Sequence, residues 1–335
     1  MSDRFYRLNL LTIALAFVVI TVGAYVRLAD AGLGCPDWPG CYGHLDVPAL
    51  GAETEAANAA FPERPVEAPK AWKEMIHRYL ASTLGLLILA MAWMAWRRRK
   101  RAHQQRVLPW MLVGLVIFQG ILGMWTVTWL LKPLVVTAHL LGGMTTLALL
   151  WWCLLRQGRH FSGWAAWSRL RLLAGVALVA LFAQLFLGAW TSTNYAALAC
   201  PDFPTCQGQW WPDTDYAQAF TLWHGLGINY EYGVLDAEPR ATIHWVHRLG
   251  AIVVAVVMLV LASVLWRAGG RDDRWRWLAS ALLLAVTLQI VLGITAVVAH
   301  LPLLVAVAHN GGAALLLLVL MAVNHASWQM GARLS

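Results

Sequence analysis

Long apolar runs separated by short polar segments dominate this chain. A hydrocarbon core of roughly 30 Å takes about 20 apolar residues to cross as a helix. Eight runs meet that length, at 8–28, 73–96, 108–129, 134–155, 172–192, 242–266, 277–299 and 303–325. Isolated strands cannot satisfy their backbone polar groups in lipid, so the runs read as helices. The pattern predicts an all-α integral membrane protein with eight transmembrane helices. The first run has no small-residue cleavage site and is long for a signal peptide, so it reads as a retained anchor. No Ser/Arg-rich amphipathic presequence precedes it, which argues against an imported organelle protein.

Polar residues that interrupt such runs are costly in lipid and by default mark a functional site. Four histidines do so in a repeating way. His77 and His139 are 62 positions apart, and so are His247 and His309. The segments around them repeat at an offset of 170: Glu74-Met75-Ile76-His77-Arg78 against His244-Trp245-Val246-His247-Arg248, and Gln119-Gly120-Ile121-Leu122-Gly123 against Gln289-Ile290-Val291-Leu292-Gly293. Gly23 matches Gly188 at 165, so the second outer loop is longer. The chain therefore divides into two four-helix halves, 1–160 and 161–335. An even helix count gives both halves the same orientation, which predicts two four-helix bundles in a parallel repeat.

Composition and charge refine this. With 60% hydrophobic and 13% charged residues over 335 positions, the chain is too apolar for a soluble protein. The net charge of +8 is unevenly spread. Arg97, Arg98, Arg99, Lys100, Arg101 and Arg106, then Arg156, Arg159, Arg169 and Arg171, then Arg267, Arg271, Arg274 and Arg276 follow even-numbered helices. The long loops after the first and fifth helices are acidic. The positive-inside rule then puts both termini in the cytoplasm and the long loops outside. A basic surface for nucleic acid is excluded as the better explanation.

All four histidines then fall about one turn below the outer end of their helices, roughly 6–9 Å deep at 1.5 Å per residue. Two at equal depth on neighbouring helices can face each other across a flat macrocycle. Gly142, Gly143, Gly311 and Gly312 allow the close approach this needs. The pairs read as two bis-histidine heme sites, histidine being a common axial ligand of heme iron. A lone intramembrane histidine is as readily an interhelical hydrogen-bonding group; two register-matched pairs favour ligands. His44, His103, His160, His224, His300 and His325 do not share the pattern and receive no role.

Each outer loop carries C-P-D-[WF]-P-x-C, with Cys35 and Cys41 in the first and Cys200 and Cys206 in the second. Outside the cytoplasm disulfides persist, so one bridge within each loop is expected. The spacing fits zinc poorly. A staple is the reading for the second loop; the first stays open between a staple and a redox-active pair. Cys153 is alone on the fourth helix and reads as a packing residue.

Glu74 breaks the repeat, because His244 stands in its place. It lies three residues before His77, on the same helical face, and could accept a proton or stabilise a developing cation. The competing reading is an interfacial carboxylate paired with Lys73, Arg78 or Arg27. Arg78 and Arg248 follow the ligands in both halves and suit either heme propionates or headgroups.

Taken together, the Glu-x-x-His-Arg motif at Glu74–Arg78, the four histidines, the two four-helix halves and Gly32-Leu33-Gly34-Cys35-Pro36-Asp37-Trp38-Pro39 resemble the heme A synthase family in its cysteine-bearing bacterial form. The resemblance implies oxidation of a ring methyl of heme O to a formyl group, giving heme A for terminal oxidases. It implies that His77 and His139 hold the substrate heme with Glu74 assisting, and that His247 and His309 hold a heme b that passes electrons. It assigns a catalytic role to Cys35 and Cys41, and a second pair to Cys200 and Cys206. It also implies a bacterial cytoplasmic membrane, heme O synthase as substrate donor, an unidentified electron acceptor, a place in cytochrome oxidase assembly, and room for a homo-oligomer. Two other classes compete: a diheme b-type electron carrier, and a heme-binding transporter or chaperone. A transmembrane carrier needs hemes near both faces, whereas all four ligands here fall near one.

Overall fold

The computed structural model describes residues 3–97, 105, 107–157, 168–268 and 273–329. Eight long helices within it are apolar enough to cross a membrane: α1 (Asp3–Leu28), α3 (Ala68–Arg97), α4 (Val107–Thr128), α5 (Pro133–Leu155), α6 (Ser168–Thr193), α8 (Ala237–Ala268), α9 (Asp273–Val298) and α10 (Leu303–Gln329). They match the eight predicted runs to within a few residues, and the protein is a multi-pass, all-helical membrane protein. Two shorter helices, α2 (Ala52–Ala60) and α7 (Tyr216–Ala219), lie in the long loops and were not expected. Arg98, Arg99, Lys100, Arg101, His103, Arg106, Arg159, His160 and Arg271 fall outside the described residues.

Local chemistry sets the helix ends. Pro133 opens α5, where a missing N–H costs nothing and the ring presets φ. Asp215 caps α7, accepting from the Gln218 amide at 2.9 Å, which satisfies one orphan donor. The tight α4–α5 turn puts Leu130 and Leu131 at φ 50° and 59°, and the α9–α10 turn does the same with His300 and Leu301 at 58° and 60°. Non-glycine residues enter that region rarely, so the shared backbone is a specific feature of both turns.

Packing around the bundle is closed. α1, α3, α4 and α5 form a ring in that order, with α5 returning to α1; α6, α8, α9 and α10 form a second ring in the same way. The rings join through α1 with α10, α5 with α6, and α5 with α10. Within each ring the histidine-bearing helices, α3 with α5 and α8 with α10, stand on the diagonal and make no close backbone contact. This corrects the expectation that the paired histidines sit on neighbouring helices. The diagonal arrangement leaves the bundle interior between them.

One end of that interior is filled by a packed core. Ile88, Met91, Leu147, Leu150, Met258, Leu261, Leu317 and Leu320 belong to one continuous buried core that lies deeper along the helices than the histidines. Lipid tails are as apolar as leucine, so these side chains stabilise the bundle through close van der Waals packing rather than through removal from water.

Across the loop end, the second long loop reaches over the first ring. Lys132, almost wholly buried, donates to the Gly225 carbonyl and lies 3.1 Å from the centre of the Trp223 ring. Burial pushes its pKa down. Arg64 forms a two-pronged ion pair with Glu231 at 2.8 and 3.4 Å. Arg27 donates to the Ser192 carbonyl at 2.6 Å and lies 4.0 Å from the centre of the Tyr195 ring.

Candidate cofactor site

Each of the four histidines faces a glycine on the long helix that precedes its own. A Cβ placed on Gly23 would lie 2.9 Å from the His77 ring, on Gly188 3.1 Å from His247, on Gly293 3.0 Å from His309, and on Gly123 3.6 Å from His139. Three of the four glycines therefore stand where any side chain would push the ring. His77 and His139, and likewise His247 and His309, stand on the diagonal helices of their ring. All four histidines are half-buried.

The ring nitrogens remain available. Nδ1 of His77, His139 and His309 is buried with no hydrogen-bond partner. A buried polar atom of this kind costs free energy unless something satisfies it. Paired histidines on diagonal helices, a glycine beside each and orphaned ring nitrogens fit an iron macrocycle held between them. Among the described residues no group of three or more His, Cys, Asp or Glu gathers as a free-ion site. An axial pair on a macrocycle does not require one.

Above each pair sits a disulfide loop. Cys35 is bonded to Cys41 and Cys200 to Cys206, as expected, and all four cysteines are fully buried. The motif aspartates organise the turns. Asp37 accepts from the amides of Tyr42 and Gly43, both at 2.7 Å. Asp202 accepts from those of Gln207 and Gly208 at 2.6 and 3.0 Å, and from the Thr205 hydroxyl. The Thr205 bond first, with help from those amides, lowers the Asp202 pKa to about 2.

The residues expected to do chemistry or bind propionates hold these loops. Glu74 is buried, accepts from the Cys35 amide at 2.9 Å with one oxygen, and pairs with Arg78 through the other. Arg78 also donates to the carbonyls of Asp37, Pro39 and Gly40. In the second half His244 Nδ1 accepts from the Cys200 amide at 3.3 Å; Arg248 Nε lies 3.3 Å from His244 Nε2, which carries the ring proton in that tautomer, and Arg248 donates to the Thr205 carbonyl at 2.8 Å and the Cys200 carbonyl at 2.7 Å. Both halves thus use one clasp built from different residues. Of the partners considered for Glu74, the structure selects Arg78.

Of a further set of residues, Gln119 and Gln289 belong to the matched repeat segments, while Gln184 has no counterpart there. Gln119, Gln184 and Gln289 each lie four positions before a histidine-facing glycine. Each amide occupies the space a Cβ would need at Gly142, Gly250 and Gly312, three positions after His139, His247 and His309. The signal Gln-x-x-x-Gly was present three times, but only two copies share the 170 offset.

An eight-helix membrane protein with two diagonal histidine pairs under disulfide-clasped loops is the class these features define. Residues 6–321 match the COX15-CtaA family, described as cytochrome oxidase assembly protein, and the chain belongs to that family. It is similar to the heme A synthase of Shewanella oneidensis, with 46% identity over 95% of both chains. It is also similar to the heme A synthases of Allorhizobium ampelinum, at 30% identity over 92% of this chain and 86% of the relative, and Shouchella clausii, at 28% over 76% and 74%.

Proposed function

We propose that this protein is a heme A synthase that oxidises a ring methyl of heme O to a formyl group. The observation that carries the reading is the pair of diagonal histidine sets, each ring backed by a glycine, in a chain of this family. His77 and His139 present the substrate heme, within the half formed by residues 1–160. His247 and His309 hold a heme b, within 161–335, that supplies an electron path toward an acceptor. The loops face outward and both termini lie in the cytoplasm of a bacterial cell, as the distribution of Lys and Arg supports.

The chain's own part is chiefly to position and exclude. The clasped loops close the outer end of each ring, and the apolar core closes the inner end. Glu74 is the only buried carboxylate among the described residues. It lies one turn from His77, which supports a role in accepting a proton as the methyl group is oxidised. Both loop disulfides serve as staples, because buried sulfurs are poorly placed for thiol exchange. Heme O synthase, whose product is the substrate, is the natural donor, and the product serves cytochrome oxidase assembly.

Extraction and chromatography of hemes from protein purified with heme O in supply tests this reading. Heme b together with heme O or heme A is expected. Heme b alone would favour a diheme carrier instead.

A further inference from the structure

The two histidine pairs are not gripped alike. In the second half, Gln184 Nε2 lies 3.0 Å from His247 Nδ1 and donates to the His247 carbonyl at 2.9 Å. Gln289 Nε2 lies 3.3 Å from His309 Nε2 and donates to the His309 carbonyl at 3.0 Å. Each amide so ties a ring to its own main chain. The other amide atom, Oε1 of Gln184 and of Gln289, is buried without a partner. A side-chain amide offers both a donor and an acceptor; turned over, it gives up the bond to the carbonyl and presents Oε1 to a ring N–H. An imidazole bound to iron through one nitrogen has an N–H to give from the other, and such outer partners fix ring orientation.

The first half lacks this. Gln119 reaches Gly142, but its Nε2 and the His139 Nδ1 are both without partners. On the α1–α3 side the device is missing altogether. Gly23 faces His77 as Gly188 faces His247. By that register the glutamine position is Val19, and the glycine position that admits its amide is Leu80. Neither can hydrogen-bond a ring, and Leu80 bears a side chain at the position where Gly142, Gly250 and Gly312 make room for an amide.

We propose that Gln184 and Gln289 are positioning residues that make the second-half pair a retaining heme site, and that Val19 and Leu80 leave His77 as the releasable ligand of the first-half site. This rests on the heme reading above. It explains how one fold, used twice, keeps a cofactor in one half and exchanges a substrate in the other.

The test uses full-length protein in nanodiscs loaded with heme b and mixed with excess apomyoglobin as acceptor. Gln184→Leu and Gln289→Leu should speed heme loss from the slowly exchanging site about ten- to hundred-fold, the usual effect of losing such a partner. The low-spin ferric EPR signal of that site should shift, which a purely structural role would not cause. Val19→Gln with Leu80→Gly should slow loss from the fast-exchanging site, so the inference stays testable if the leucine variants fold poorly. Unchanged exchange rates in both sets would overturn it. Protein that binds no heme at all would instead overturn the proposed function.

Discussion

Glu74 receives the backbone N–H of Cys35 at 2.9 Å, so a carboxylate inside the bundle holds the first residue of the outer disulfide loop. His244 takes the matching bond from Cys200. The equivalence allows the clasp and the chemistry to be separated. Glu74→His copies the second half and should preserve the loop, while Glu74→Ala removes the clasp. If the carboxylate moves a proton, both substitutions should lower heme A formation by about 10²–10⁴-fold, with the second-half heme b retained. Extracted hemes, resolved by chromatography, report both quantities. Wild-type product from Glu74→His would reduce the residue to a clasp.

Much of this arrangement was legible in the sequence, and the exceptions have physical causes. Hydrophobic run length fixed the eight spans, since membrane thickness imposes it directly. The 62-residue spacing revealed the pairs. Depth along a helix, however, carries no information about angle around a bundle, so the diagonal placement of α3 and α5 stayed hidden. The exchange of Glu74 for His244 hid the clasp they share, because hydrogen-bond acceptance by either side chain is invisible in a one-letter comparison. Gln184 was missed because its counterpart at the offset of 165 is Val19.

The glycines facing the histidines grade a steric experiment. Gly123→Ala adds a methyl group at an ordinary contact distance of 3.6 Å from His139 and should leave heme binding nearly unchanged. Gly23→Ala and Gly293→Ala place it 2.9 and 3.0 Å from His77 and His309. Overpacking of this kind costs about 1–3 kcal/mol, and the ring must turn to relieve it. Low-spin heme absorbance per protein should therefore fall at the first-half site for Gly23→Ala and at the second-half site for Gly293→Ala. A uniform response across the three variants would mean that the glycines serve helix packing alone.

Arg64 and Glu231 link the two long loops through a partly buried, two-pronged pair. The hydrogen bond to Glu231 raises the Arg64 pKa above its ordinary value. A cation with a raised folded pKa gives its full contribution below the unfolded value and loses it only as pH climbs through the folded one. That window lies beyond the working range, so alkali should not open the loops. Arg64→Ala should lower stability by about 1–3 kcal/mol, between the values for exposed and buried pairs. Thermal unfolding in nanodiscs measures it, and limited proteolysis should show earlier cleavage within 220–235.

Acid should act on the second loop through Asp202. Its pKa is held near 2, against an ordinary 3.8, by the Thr205 hydroxyl and two amides. A lowered folded pKa contributes stability above the unfolded value, and that contribution fades as pH falls from about 3.8 toward 2. The rate at which a phosphine reduces the Cys200–Cys206 bridge should rise across that window. Asp202→Asn should start higher and change less. Identical pH profiles for the two proteins would remove Asp202 from the account.

The two disulfides offer the sharpest comparison, because each variant pair controls for the other. Both bridges span a sequence separation of 6, for which loop-closure entropy gives about 2 kcal/mol. All four cysteines are fully buried, and Cys35 and Cys200 lie close to equivalent carbonyls, those of Ala71 and Ala241. Two staples in equal settings should behave equally. Cys35→Ser with Cys41→Ser should cost about as much stability as Cys200→Ser with Cys206→Ser, and each should lower heme A yield only as far as folded protein is lost. A first-loop pair that passes electrons would break the symmetry: its removal would stop heme A formation in protein that still holds heme b, while removal of the second pair would not. Yield normalised to bound heme b therefore distinguishes a staple from a redox centre in one measurement.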